Sequence, residues 1–376
     1  LHNTLFPYTT LFRSAVAMGL AGVAVVAVAD LGMMSLPTNV YTGIAKYSLM
    51  AIPVFVIAGL IFGKAGVAAT IVRFASALVG QRRGSLAIVA ILVAMILGGI
   101  SGSGPADSAA VGAVMLPLML KAGYPRSFTA GVIAAAGSTD ILIPPSIAFV
   151  IYSLLVPQAS VPALFAAGMI PGILSGLTLI LVAWWLSVRN NFEAEPAAPR
   201  PSFWQSLKEA GWGLAAPVII LGGMRSGFFT PTEAAVVAVF YGLLVGMVIY
   251  RTLRWKDVYQ VLIESAEISS VILTVVALAS VFAQGSNTLG TFDHPAATLL
   301  GTGLSEIPML LSIQLLLLIA GMFLDAISIY FIFLLLLIPI AMHFNWDLVW
   351  FGVNLMVTCR MAGVSMESTV PWVLWM

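Results

Sequence analysis

Charge is what this sequence most lacks. Asp, Glu, Lys and Arg fill only 8% of 376 positions, too few to cover a soluble domain of that length. The single cysteine, Cys359, excludes an internal disulfide framework. The three histidines, His2, His294 and His343, are far apart and match no metal-ligand spacing. No Ser-His-Asp pattern, phosphate-binding P-loop or dinucleotide-binding glycine fingerprint occurs. The chain therefore does not read as an enzyme, and an ATP-driven pump would need its nucleotide site on another chain. A net charge of +1 leaves no basic patch for nucleic acid.

What is present is apolar. Hydrophobic residues make up 61% of the chain, with a mean hydropathy of +1.07. A bilayer crossing takes about 20 apolar residues. Runs of that kind fall near 15–34, 47–67, 86–120, 127–156, 161–187, 210–224, 232–250, 260–283, 296–342 and 348–358. They are continuous rather than alternating, which argues for an all-α polytopic membrane protein over a β-barrel. Residues 1–14 (LHNTLFPYTTLFRS) lack the parts of a signal peptide and read as translated adapter sequence, so the fold reading starts at 15.

Two runs are too long for one crossing. Segment 86–120 has GGISGSGPADS in its middle, and segment 307–342 has AGMFLDAIS. Both read as re-entrant hairpins with polar tips. With that assignment Lys64, Arg73, Arg82, Arg83, Lys121, Arg126, Arg189, Arg200, Lys208, Arg251, Arg254 and Lys256 share one side. Only Lys46 and Arg225 lie on the other. The rich side is cytoplasmic, which puts the first hairpin at the cytoplasmic face and the second at the external face. Two simple crossings per long segment would give the same parity. The polar stretch 188–209, with Pro196, Pro199 and Pro201, reads as a cytoplasmic linker between membrane halves 15–187 and 210–358. A shift of 222 aligns Gly99 with Gly321, Ser103 with Asp325 and Pro117 with Pro339. Inverted repeats with broken helices are the pattern of secondary transporters.

Irregular backbone at membrane depth is tolerated only where it is packed in protein or lines a polar cavity. The tip Gly99–Pro105 and the break Gly137-Ser138-Thr139-Asp140-Ile141-Leu142-Ile143-Pro144-Pro145-Ser146 free carbonyls and hydroxyls, the hard oxygen ligands of a sodium ion. Close packing through small residues explains the tip equally well, and a simple kink is the alternative for the break. Asp107, Asp140 and Asp325 are rare acids within apolar runs. Asp325, at the second tip, is the strongest single candidate. Asp107 reads equally as a helix cap. Glu233 reads as a helix-start residue. Trp184, Trp185, Trp346 and Trp350 sit near segment ends, as interface anchors do. The stretch 68–83 is moderately amphipathic and is expected along the cytoplasmic surface.

The motifs SLMAIPVFVIAGLIF, GGISGSGPADSAAVGAVMLPLMLKAGY, ILIPPSI, AGMIPGILSGL, GGMRSGFFTPTEAAVVAVFYGLLVG and GMFLDAIS together resemble the large, DctM-like permease subunit of TRAP (tripartite ATP-independent periplasmic) transporters. The resemblance runs from about residue 15 to about residue 357. It implies an elevator-type carrier of the bacterial inner membrane, driven by sodium and needing no other cofactor. It implies as partners a small membrane subunit and an extracytoplasmic substrate-binding protein, and as substrate an organic acid such as a dicarboxylate, keto acid or sialic acid. Carried over by position, Ser101, Gly102, Ser103, Gly137, Ser138 and Pro144 would hold one sodium. Gly321 and Asp325 would belong to a second site. Ser103, Ser146 and Asp325 would face the substrate pathway.

The sequence departs from the family in three places. Residues 1–14 replace a further membrane span. Asp140 stands where a small residue is usual. Ala362 and Gly363 stand where a second Pro-Pro break follows Asn354-Leu355, so the tail 359–376 reads as a frameshift or truncation. Two other readings stay open: a binding-protein-independent sodium/dicarboxylate symporter or antiporter of the same wider group, and a non-transporting membrane scaffold. In an end-repaired chain, Asp325→Asn is expected to abolish sodium-dependent uptake; wild-type uptake would remove Asp325 from the site.

Overall fold

A computed structural model describes residues 6–192, 201–322, 324 and 326–362. Every regular element among them is helical. The first six helices are α1 (Phe6–Val28), α2 (Ser35–Ile44), α3 (Ala51–Lys64), α4 (Val67–Val79), α5 (Ser85–Ser101) and α6 (Gly104–Lys121). Then come α7 (Arg126–Asp140), α8 (Ile147–Leu155), α9 (Val161–Arg189), α10 (Phe203–Arg225) and α11 (Pro231–Leu243). The last five are α12 (Trp255–Thr288), α13 (Asp293–Gly301), α14 (Glu306–Gly321), α15 (Ala326–His343) and α16 (Leu348–Ala362).

Among the described residues, four stretches are long and apolar enough to cross a membrane: Tyr47–Lys64, Val161–Arg189, Pro231–Ile249 and Trp255–Thr288. The pairs α5–α6 and α14–α15 are different. Their arms have 16 to 18 residues, about 24–27 Å at the helical rise, short of the roughly 30 Å hydrocarbon core. Each pair packs arm against arm, as expected of a hairpin.

The repeat seen in sequence extends to the helices themselves. The shift of 222 carries both ends of α6 onto both ends of α15, and both ends of α7 onto both ends of α16. Pro117 lies inside α6 and Pro339 inside α15. Packing repeats too: α5 lies against α7 as α14 lies against α16, and α4 against α6 as α13 against α15. A few chance identities would not reproduce boundaries and neighbours together, so the chain carries an internal duplication.

The described residues form two compact units. One holds 53–147 and 165–265. Its centre is α5, apolar on every side and therefore buried, with Ile91, Val93 and Leu97 packed among Met115, Phe128 and Leu179. Around it α4 turns Ile71, Val72 and Ala75 inward, while Arg73 faces out and pairs with Glu209 at 3.1 Å. At the start of α11, Glu233 takes part in a capping box. Its carboxylate accepts from the Thr230 amide at 2.8 Å, and its own amide donates to Thr230 Oγ1 at 3.3 Å.

The other unit holds 6–52, 148–164 and 266–362. α1 approaches α12 closely, with Gly22 against the Phe282 backbone and Gly285 against Val25. Deeper in, the Tyr152 and Tyr330 rings meet edge to face at 5.5 Å. The Tyr152 hydroxyl donates to the Leu348 carbonyl at 2.8 Å, in the first turn of α16. Trp346 is more than an interface anchor, since its Nε1 donates to Glu306 Oε1 at 2.9 Å. Tyr152→Phe is expected to cost about 1 kcal/mol, seen as a lower midpoint of thermal unfolding in detergent with the helical spectrum unchanged.

Candidate functional site

The first hairpin turns on two residues. α5 ends at Ser101, and Gly102 takes a left-handed φ of +61° that a side chain would resist. Its amide donates to the Gly98 carbonyl at 3.1 Å. Ser103 is extended and caps α6 from outside the helix. Ser101 then ties the turn together. Its Oγ donates to Asp107 Oδ2 at 2.5 Å and accepts from the Ser103 amide at 3.2 Å. Both Ser101 and Asp107 are buried, and a hydrogen bond to a carboxylate is stronger than a neutral one. The N-cap position of α6 is held by Ser103, without a side-chain cap, and Asp107 serves the helix start from inside the first turn. It sits in the first turn, where the helix dipole favours an anion, and clasps the tip across the turn.

The break lies at the end of α7. Leu142 and Ile143 donate to the carbonyls of Thr139 and Asp140 at 3.1 and 3.0 Å, a tight closing turn. Pro144 and Pro145, joined by a cis peptide, bring no N–H of their own. A helix resumes at Ile147. Residues 139–147 are buried throughout.

Tip and break are seated on one another, backbone to backbone. A Cβ on Gly102 would collide with the Pro145 carbonyl oxygen and lie 2.9 Å from Ser146 Cα. One on Gly98 would lie 2.5 Å from the Asp140 carbonyl oxygen, and one on Gly104 would lie 2.7 Å from that of Gly137. Of the residues singled out in the sequence, Gly102 is thus brought against Ser146, and Gly137 against Gly104 of the same tip. Close packing through small residues, one of the two readings open for the tip, is what the structure shows here. The hydroxyls differ in what they already do. Ser138 Oγ donates to the Ala135 carbonyl at 2.7 Å, which leaves its oxygen able to accept. Ser146 Oγ is fully buried and has no hydrogen-bond partner among the described residues. A buried hydroxyl without a partner costs about 1–3 kcal/mol, so a ligand there would recover that loss. The convergent donors are neutral oxygens, a set that suits a hard alkali cation and not a soft transition metal. Gly321 is buried at the end of α14. Asp325 lies outside the described residues.

The sequence reading missed the far side of the tip. A cavity of about 190 Å³ is lined there by Gly59, Gly63 and Lys64 of α3 together with Ser101 and Asp107. A Cβ on Gly59 would lie 2.5 Å from that of Ser101, and Lys64 pairs with Glu264 at 2.8 Å. The available signal was Gly59 and Gly63, four apart on one face of α3.

Comparison with known proteins gives consistent matches. Residues 6–365 match the family model described as "Tripartite ATP-independent periplasmic transporter, DctM component". The chain is 35% identical over 371 residues to the isethionate TRAP transporter permease protein DctMQ of Oleidesulfovibrio alaskensis, covering 96% of this chain but only 58% of that protein. It is 36% identical over 361 residues to the C4-dicarboxylate TRAP transporter large permease protein DctM of Pseudomonas aeruginosa, covering 90% of this chain and 84% of the relative. It is 39% identical over 325 residues to the 2,3-diketo-L-gulonate TRAP transporter large permease protein YiaN of Escherichia coli, covering 86% and 76%. Among solved structures, the YdaH transporter of Alcanivorax borkumensis shares the fold with a TM-score of 0.67 at 13% identity, over 96% of this chain and 90% of that one.

Two substitutions test the geometry. Gly102→Ala is expected to unseat the tip and sharply reduce the yield of folded protein on size-exclusion chromatography. Ser101→Ala leaves a buried carboxylate without its donor, at a cost of about 1.5–3 kcal/mol, read as a lower unfolding midpoint. An unchanged midpoint would mean that the clasp does not hold the tip.

Proposed function

The chain belongs to the family of the DctM component of tripartite ATP-independent periplasmic transporters, and from that premise we propose that it is the large permease subunit of a sodium-coupled importer of an organic acid. It is a multi-pass protein of the inner membrane and a transport component, not an enzyme. The substrate would be delivered by an extracytoplasmic binding protein, with a small membrane subunit as the second partner. Relatives are named for isethionate, C4-dicarboxylates, 2,3-diketo-L-gulonate and sialic acid. What those compounds share is a small anion, which sets the substrate class proposed here.

The observation that carries the reading is the seat of the first hairpin tip on the Pro144-Pro145 break, with the orphaned Ser146 hydroxyl at the contact. In this mechanism a sodium ion is held by oxygens of Ser101, Gly102, Ser103, Gly137, Ser138 and Pro144. Ser101 and Asp107 keep the tip in the shape that presents them. Gly321 and Asp325 contribute a second sodium from the other hairpin. Ser103, Ser146 and Asp325 face the substrate, and the bound sodium ions offset its negative charge. The membrane potential supplies about 2.3 kcal/mol per net positive charge per 100 mV, so an excess of sodium over substrate charge drives accumulation. An elevator motion of the hairpin-bearing elements would expose the site alternately to the two sides.

Uptake into proteoliposomes holding the end-repaired chain, its small subunit and the binding protein tests the proposal. Transport of a loaded organic acid should require both an inward sodium gradient and the binding protein. Ser103→Ala should raise the sodium concentration for half-maximal uptake, and Ser146→Ala the substrate concentration, each by tenfold or more, on the order of the ~1–3 kcal/mol carried by one buried polar partner. Uptake that needs sodium but no binding protein would convert the reading to a two-component symporter.

A further inference from the structure

A second set of polar groups, unrelated to the tip, gathers at the C-terminal end of α9. The loop between α4 and α5 folds onto that end. Gly84, with φ of +86°, lies where a Cβ would be 3.2 Å from both Ser187 and Trp184. This seats the neighbouring Arg82 and Arg83 beside the last turns of α9. Arg83 Nη1 donates to Asn191 Oδ1 at 2.8 Å. The Arg189 guanidinium lies 5.0 Å from the centre of the Trp185 ring, a cation–π contact. The loop between α6 and α7 arrives at the same place. Tyr124 and Phe128 pack on Phe192 at 5.7 and 5.0 Å, and Lys121 and Arg126 flank that loop at the end of α6 and the start of α7.

All five cations are exposed. Among the described residues none of them is in an ion pair, since the two pairs in this unit are Lys64–Glu264 and Arg73–Glu209. Glu193 and Glu195 follow Phe192 and lie outside the described residues. Below the cations, α9 presents an apolar stripe with Ile170, Leu174, Leu177, Leu181 and Trp184 exposed. Their spacing of three and four puts them on one face of the helix. The stripe ends at Trp184 and Trp185, residues that favour the headgroup level of a bilayer.

The rule that cations face the cytoplasm accounts for positive charge at this end. It asks for no fixed geometry. Here one guanidinium is held by an amide and another by a ring, so both are oriented without a carboxylate consuming their charge. A guanidinium presents paired donors that match a phosphate. We propose that this end of α9 is a binding site for an anionic phospholipid: Arg83 and Arg189 take the phosphate, Arg82 adds charge, and the acyl chains lie along the α9 stripe. Charge complementarity selects the lipid class, and the unbroken run from basic end through tryptophans to apolar stripe selects a lipid over a soluble anion.

Native mass spectrometry of the delipidated full chain, titrated with phosphatidylglycerol or phosphatidylcholine, tests this. Phosphatidylglycerol should bind roughly tenfold more tightly, and Arg83→Gln and Arg189→Gln should each weaken it about fivefold, from about 1 kcal/mol per basic residue near an anionic surface. Arg225→Gln should change nothing, and Arg83→Lys should restore only part of the affinity, because an ammonium keeps the charge but lacks the paired donors. Size-exclusion profiles matching wild type establish that the variants fold. Equal binding of the two lipids, or unchanged phosphatidylglycerol binding in the double variant, overturns the proposal. So does displacement of the lipid by an equal concentration of inorganic phosphate, which would make this a phosphate site. Loss of the lipid on adding the small membrane subunit also overturns it, because the stripe would then be a protein interface.

Discussion

Hydrocarbon offers no hydrogen bonds, so any backbone that leaves the helix inside a membrane must find its partners in protein. The arrangement around the first hairpin follows from that constraint. The chain interrupts a helix at Gly102 and again at Pro144-Pro145, and it resolves the two interruptions by seating one on the other. Only glycine permits the approach, because Gly98, Gly102 and Gly104 each place backbone where a side chain would collide. The neutral oxygens that line the contact are a consequence of the same solution. Neutral oxygens of this kind are what remains when two irregular segments are made mutually compatible in a dry environment.

The clasp between Ser101 and Asp107 belongs to this logic. A bare carboxylate in an apolar hairpin costs a few kcal/mol. Placed in the first turn of α6 and given a hydroxyl donor, it holds the turn instead. The hydroxyl is used twice, as donor to Asp107 and acceptor from the Ser103 amide. Tip shape and charge placement are thereby one feature. The cavity beside α3 shows that the clasp faces open space on one side and packed backbone on the other.

Much of this was legible in sequence, for identifiable reasons. The turns were visible because SGSGP and MFLDAIS interrupt runs too long for one crossing. The capping role of Glu233 was visible because Thr230-Pro231-Thr232-Glu233 is a local pattern. The duplication was only hinted at by three aligned positions, and it became clear when whole helices and their neighbours repeated. What sequence did not give was pairing across distance. Ser101 with Asp107, Gly102 with Pro145 and Gly84 with Ser187 depend on turns whose geometry no local pattern states. The far wall of the tip was missed because two glycines in α3 look like ordinary small residues of a membrane helix.

The duplicated halves are not equivalent in charge, and this bears on how they can cooperate. At the shift of 222, the neutral Ser103 aligns with the acidic Asp325, while Asp107 corresponds to Ile329 and Asp140 to Ala362. In the first half both acids are held by packing, one bonded to Ser101 across the tip and one buried against Gly98. The second half carries its acid at the tip itself. A cation held by neutral oxygens remains a positive charge that can attract an anionic substrate. A cation held by a carboxylate is neutralised in place and stabilises the fold around it. On the proposed reading, two copies of one scaffold would divide the work between an ion that draws the substrate in and an ion that sets the shape receiving it. That division requires the asymmetry between Ser103 and Asp325, which a perfectly preserved repeat would have lost.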